Sequence, residues 1–148
     1  MPYTSKPRPI VCYKPTTDKT RNNSAAWDTW ITLPELPAGF YGAKVRVAGV
    51  IEAGGAQLST FRLYHATALV NCYWQNYFDA GVYPLATTAP QFMLGTSPDI
   101  AGATVTFCFY LSAPARLELQ VAQVVAEAKN HQFDANLTEL DIVKVGQV

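Results

Sequence analysis

From Tyr41 to Ile51 the chain alternates without interruption. Tyr41, Ala43, Val45, Val47, Gly49 and Ile51 fall on one side, and Gly42, Lys44, Arg46 and Ala48 on the other. Extended backbone turns successive side chains to opposite faces, so this period of two specifies a strand with one face in a core. The strand is introduced by Leu36-Pro37-Ala38-Gly39-Phe40-Tyr41. Pro37 fixes its own φ and Gly39 can take a positive φ, so a tight turn feeds directly into the strand.

The same grammar recurs along the chain. Ile10–Tyr13, Trp27–Leu33, residues 57–65, Ala103–Leu111 and Leu137–Val145 read as strands. Residues 68–78 carry aromatics on both sides: Trp74 and Phe78 on one, Tyr73 and Tyr77 on the other. A strand that is apolar on both faces is covered on both faces, and in one small domain the second cover is another subunit. Residues 115–129 fit both periods, because Leu117, Leu119 and Val121 alternate while the Ala, Glu and Lys content favours helix. They are read as a strand, because a tight turn at Ser112-Ala113-Pro114 makes the preceding strand the natural hairpin partner. Pro15–Ser24 and Gly81–Pro98 read as loops, the latter with a short apolar insert at Gln91–Leu94. The expectation is an all-β sandwich or barrel of eight or nine short strands, with its domain at residues 27–148. Residues 1–26, with prolines at positions 2, 7 and 9, form an extended N-terminal arm and loop.

Charge supplies the second constraint. Eleven basic and eleven acidic residues cancel, so no net field draws nucleic acid or an anionic membrane. Only 15% of the 148 residues are charged, against roughly 25% in an ordinary soluble domain. Seven Phe, eight Tyr and three Trp raise the apolar share to 49%. So little charge leaves apolar patches on a monomer, and such patches mark contact surfaces. Self-association is therefore expected. No apolar stretch has signal-peptide or bilayer-spanning length, so no membrane insertion is expected.

The residues for catalysis are sparse. Two histidines are available: His65 in a strand among aromatics, read as packed, and His131 in the polar run Lys129-Asn130-His131-Gln132, read as surface. Cys12, Cys72 and Cys108 are far apart and form no metal-binding spacing, so they read as buried reduced thiols, with one disulfide as the alternative. Glu139 and Asp141 share one face of the last strand and read as a solvated edge. No nucleotide-binding or nucleophile-elbow motif occurs. No enzyme activity, cofactor or metal is expected. Lys6, Arg8 and Lys14, with Lys19 and Arg21, form a basic cluster that reads either as a solvated arm or as a grip on an acidic neighbouring protein. Tyr73, Tyr77 and Tyr83 are candidates for stacking on sugar rings, although an inter-subunit core explains aromatics here more simply.

Three segments together resemble the jelly-roll domains of bacteriophage virion proteins, which share the C1q and tumour-necrosis-factor fold. They are the Leu36–Tyr41 turn behind a Trp-containing strand, Arg62-Leu63-Tyr64, and the closing Leu140-Asp141-Ile142-Val143-Lys144-Val145-Gly146. The likeness spans residues 10–146. It implies a homotrimer packed around a three-fold axis, located in the virion and assembled in the host cytoplasm. Its partner would be the major capsid protein or another virion protein. The implied function is non-enzymatic: a trimer that decorates or stabilises the capsid surface. The alternative is a fibre tip that recognises a host-surface glycan or protein. The subunit or partner interface is expected at Tyr73, Trp74, Tyr77, Phe78, Lys6, Arg8 and Lys14.

Overall fold

A computed structural model describes residues 10–51, 58–64, 71–74, 82–84, 91–95, 100–123 and 126–146. The described residues form twelve strands and one 3-10 turn, with no α-helix. The strands are β1 (Val11–Tyr13), β2 (Lys19–Arg21), β3 (Asp28–Leu36), β4 (Gly39–Ile51), β5 (Leu58–Tyr64) and β6 (Asn71–Trp74). They continue as β7 (Val82–Pro84), β8 (Gln91–Gly95), β9 (Ile100–Leu111), β10 (Ala115–Gln123), β11 (His131–Phe133) and β12 (Glu139–Gly146). Among these residues no helix is long and apolar enough to cross a membrane.

All pairings are antiparallel and fall into two sheets. Sheet A is organised around β4. On one side β4 pairs with β9, and β9 with β6; on the other it pairs with β12 along its first half and β11 along its second. β1 borders β12, and β2 borders β11. Sheet B runs β3-β10-β5-β8-β7. The inward faces meet in a sandwich-like core, where Phe61, Phe107, Phe109 and Phe133 are buried with Leu33, Leu63, Leu117 and Leu140. Phe61 of sheet B meets Phe133 of sheet A edge-on, with ring centres 4.9 Å apart, a favoured aromatic geometry.

The sidedness of β4 follows the alternation of its sequence. Tyr41, Ala43, Val45 and Val47 are buried while Lys44 and Arg46 are exposed. In the preceding turn Gly39 has φ +152°, and a Cβ there would lie 2.7 Å from the Gly146 carbonyl oxygen. The Tyr41 hydroxyl donates to the Pro37 carbonyl at 2.6 Å and holds the turn closed.

What the turn does differs from a hairpin. β3 lies in sheet B and β4 in sheet A, so Pro37 and Ala38 carry the chain from one sheet to the other. The turn at 112–114 makes the matching crossing from β9 in sheet A to β10 in sheet B. Register places them together: Leu36 opposes Ala115 in sheet B, and Gly39 opposes Leu111 in sheet A. One two-stranded ribbon, β3–β4 against β9–β10, thus folds over the corner of the sandwich. Of the residues 115–129 read as a strand, 115–123 form β10 and 126–129 lie outside any strand, and the partners of β10 are β3 and β5 rather than β9. Period-two burial of Leu117, Leu119 and Val121 outweighs the helical propensity of their neighbours.

Four expectations are corrected. Short strands β2, β7, β8 and β11 occupy stretches read as loops or turns, which raises the count above eight or nine. His131 is not on the surface: it is fully buried in β11. Glu139 and Asp141 are not at an edge, because β12 lies between β1 and β4. Cys12 and Cys108 are free thiols, but both are exposed. The segment read as an arm is described from Ile10 onward, where β1 and β2 are hydrogen bonded into sheet A. His65 lies outside the described residues.

Candidate functional site

The outward face of sheet A divides into a charged band and an apolar end. Register aligns Glu139 with Arg46 and Thr104 in one row, and Cys12 with Asp141, Lys44 and Thr106 in the next. Arg46 Nη2 lies 3.1 Å from Glu139 Oε1, while Lys14 Nζ approaches Glu139 Oε2 at 4.0 Å. The Cys12 thiol lies 3.5 Å from the same carboxylate. Its pKa is pushed up to about 11, chiefly by its hydrogen bond to Asp141, then by partial desolvation and by Glu139. Ligand atoms of Cys12, Glu139 and Asp141 gather within 4.8 Å of one another. Arg46 and Lys14 already neutralise Glu139, so the cluster acts as a charge-paired network across three strands.

The apolar end lies beyond the next outward row, which is Val143, Gly42 and Cys108. Phe40 on β4 and Tyr110 on β9 are register partners, and their ring centres stand 4.7 Å apart. Phe40 is 42% exposed and Val145 on β12 is 41% exposed. A Cβ at Gly146 would stand 3.3 Å from Phe40 Cδ2, so the ring packs close to bare backbone. Ile10, at 67% exposure, extends the apolar surface beside β1. An aromatic pair with exposed aliphatics, next to a band of paired charges, has the composition of an interface centre and its rim.

The expected interface residues distribute unevenly. Lys14 is exposed and joins the charged band through Glu139. Tyr73 and Trp74 lie on β6, which pairs with β9 and with no other described strand. Tyr73 is the register partner of the exposed Cys108, and Trp74 that of the core residue Phe107. Lys6, Arg8, Tyr77 and Phe78 lie outside the described residues. Tyr83 falls on β7, on the far side of β8 from the centre of sheet B. Sequence reasoning did not single out Phe40 and Tyr110, although each occupies an outward position of a clear alternation.

A nucleophile-and-base pair does occur in the core. Ser59 Oγ on β5 and His131 Nδ1 on β11 are 2.6 Å apart. Both residues are 0% exposed, so no substrate reaches the hydroxyl, and the pair acts as a polar link between the two sheets. Near it, Asp18, Ala48, Val50, Gln132, Asp134 and Leu137 line a shallow open depression. Its carboxylates are engaged: Asp18 accepts from the Ala135 amide and Asp134 caps the 3-10 turn at Ala135–Leu137. Compared with family models, with curated proteins and with solved structures, the chain finds no match.

Proposed function

We propose that this chain is a non-enzymatic structural protein of a bacteriophage virion, a jelly-roll homotrimer that decorates or stabilises the capsid surface. The observation that carries the self-association is the apolar end of sheet A. There Phe40 and Tyr110 form an outward-facing ring pair flanked by Val145, on a sheet where Arg46 and Lys14 pair with Glu139. Burying two half-exposed aromatics and their aliphatic neighbours at each contact favours association by several kcal/mol before the entropy of association is counted. The ribbon that folds over the corner supports the jelly-roll reading, since that architecture wraps paired strands across two sheets. Placement in a virion rests on the resemblance carried by Leu36–Tyr41, Arg62–Tyr64 and Leu140–Gly146. The basic residues Lys6, Arg8 and Lys14 are the proposed grip on an acidic capsid neighbour.

The test has two parts. Native mass spectrometry and analytical ultracentrifugation should give three copies per particle at micromolar concentration. Purified protein should co-sediment with undecorated capsids and raise the temperature at which they rupture, and deleting residues 1–9 should weaken that binding. A monomer that ignores capsids overturns the proposal.

A further inference from the structure

Sheet B has an ordered polar and aromatic cluster on its outward face, opposite the face proposed for self-association. Arg62 on β5 is its centre. The guanidinium carbon lies 4.1 Å from the centre of the Trp27 ring and 4.0 Å from that of the Tyr64 ring. Arg62 Nε donates to Gln120 Oε1 at 2.8 Å. Gln120, only 8% exposed, donates in turn through Nε2 to Glu118 Oε2 at 2.8 Å. The Thr29 hydroxyl donates to that same oxygen at 3.1 Å. A buried amide on β10 therefore fixes a cation on one side and an anion on the other, while two rings clamp the cation.

Part of the cluster's hydrogen-bonding capacity is left over by the described residues. Arg62 Nη1 and Nη2 donate to no described residue, and Glu118 Oε1 accepts from none. The guanidinium is partly desolvated, which holds its pKa below the ordinary arginine value. A structural stack would serve as well with a lysine or a methionine. This one retains a rigid fork of N–H donors with an adjacent carboxylate acceptor, both half-buried beside aromatic carbon. Paired donor and acceptor next to an aromatic surface match a pyranose ring, which offers vicinal hydroxyls along its edge and C–H groups on its face. A simple anion suits it less, since Glu118 stands next to the fork.

We propose that Trp27, Arg62, Tyr64 and Glu118 form a saccharide site on the outer face of sheet B. Arg62 donates to two sugar hydroxyls, Glu118 Oε1 accepts from one, and Trp27 or Tyr64 packs against the ring. The site is independent of the capsid assignment and of the oligomeric state. Gln120 is a positioning residue, holding both charged groups without touching the sugar.

The experiment is a glycan array of neutral and sialylated oligosaccharides, followed by saturation-transfer NMR with the free sugars of the best hits. Binding to a defined set of glycans is expected. Glu118→Gln, which keeps the side-chain shape, and Arg62→Lys, which keeps the charge but loses the fork, should each weaken it at least ~10-fold with an unchanged melting midpoint. Gln120→Glu should weaken binding while free-protein spectra show displaced Arg62 signals. If Arg62→Lys fails to fold, Glu118→Gln alone decides. Absence of any glycan hit, binding that both variants retain, or capture of acidic peptides instead overturns the proposal.

Discussion

His131 Nδ1 lies 2.6 Å from Ser59 Oγ, and this fully buried hydrogen bond ties β11 of sheet A to β5 of sheet B. Two residues further along each strand, Phe61 and Phe133 repeat the connection with an edge-on ring contact. Ser59→Ala removes the hydroxyl and leaves a buried imidazole without it. The expected loss is about 1–3 kcal/mol in urea unfolding, with an unchanged dependence on urea concentration. A loss below about 0.5 kcal/mol would show that the link contributes little.

Gly49 and Gly42 make a matched pair on β4. A Cβ at Gly49 would fall on the Gln132 carbonyl and sit 2.7 Å from Phe133 Cα, both backbone atoms of β11. At Gly42 it would meet only side-chain methyls, Val143 Cγ1 at 3.4 Å and Val145 Cγ1 at 3.8 Å. Gly49→Ala should push β11 off the sheet and cost at least about 2 kcal/mol, whereas Gly42→Ala should change stability by less than about 1 kcal/mol. Thermal melts of the two variants side by side check this.

Cys12 should be slow to alkylate although it is exposed. Raising its pKa to about 11 lowers the thiolate fraction at pH 8, and greater intrinsic nucleophilicity restores only part of the rate. Labelling by iodoacetamide should run roughly 10-fold slower than for an ordinary exposed thiol. Glu139→Gln with Asp141→Asn should restore the ordinary rate, read as modification of the Cys12 peptide by mass spectrometry.

Asp28 supplies a modest acid-sensitive contribution. Its carboxylate is held below the usual range, first by the hydrogen bond from Lys19 and further by the charges of Lys19 and Arg21, against an opposing effect of burial. A lowered folded pKa means stability that is present above the ordinary carboxylate value near ~4 and is lost as pH falls through the lower folded value. The side chain is 43% exposed, so solvent screening keeps the effect below about 1 kcal/mol. Asp28→Asn should be slightly less stable than the parent at pH 7, and the difference should shrink as pH falls below the ordinary carboxylate range in unfolding curves.

Phe40→Glu tests the apolar end of sheet A without touching the core. Phe40 is 42% exposed, so the fold should persist with a melt of the isolated protomer little changed. Charge at the centre of a contact should raise the dissociation constant of the assembly at least ~100-fold, read by sedimentation velocity. Unchanged association would place the contact elsewhere.

Much of the architecture was legible because burial imposes period two. Tyr41 to Val47 and Val105 to Leu111 are buried at the positions their alternation marks, and Leu117, Leu119 and Val121 prevail over a helix-forming composition. The turn at Pro37 and Gly39 was legible as local geometry, but its destination was not. Whether a tight turn makes a hairpin or crosses between sheets depends on which distant strand waits on the other side. Three-residue strands such as His131–Phe133 lack the length to show a period, so their polar surroundings were misleading. The exposure of Cys12 and Cys108 follows from strand parity, which outranks the general tendency of cysteine to be buried. Arg62-Leu63-Tyr64 was visible as a motif, yet its contact with Trp27 joins residues that only the sheet brings together.

The corner ribbon also has a kinetic consequence. Leu36 can find Ala115, and Gly39 can find Leu111, only after a loop of more than seventy residues has closed, and Val11 must find Ile142 across nearly the entire chain. Closing such loops comes before any reward from the contacts they permit, so folding should be slow, on the order of milliseconds to seconds. Until the ribbon zips, the edges that the long apolar strands β4 and β9 will present to each other stay open along twelve residue pairs. The interval before they meet is therefore when the chain is most open to pairing with another copy of itself.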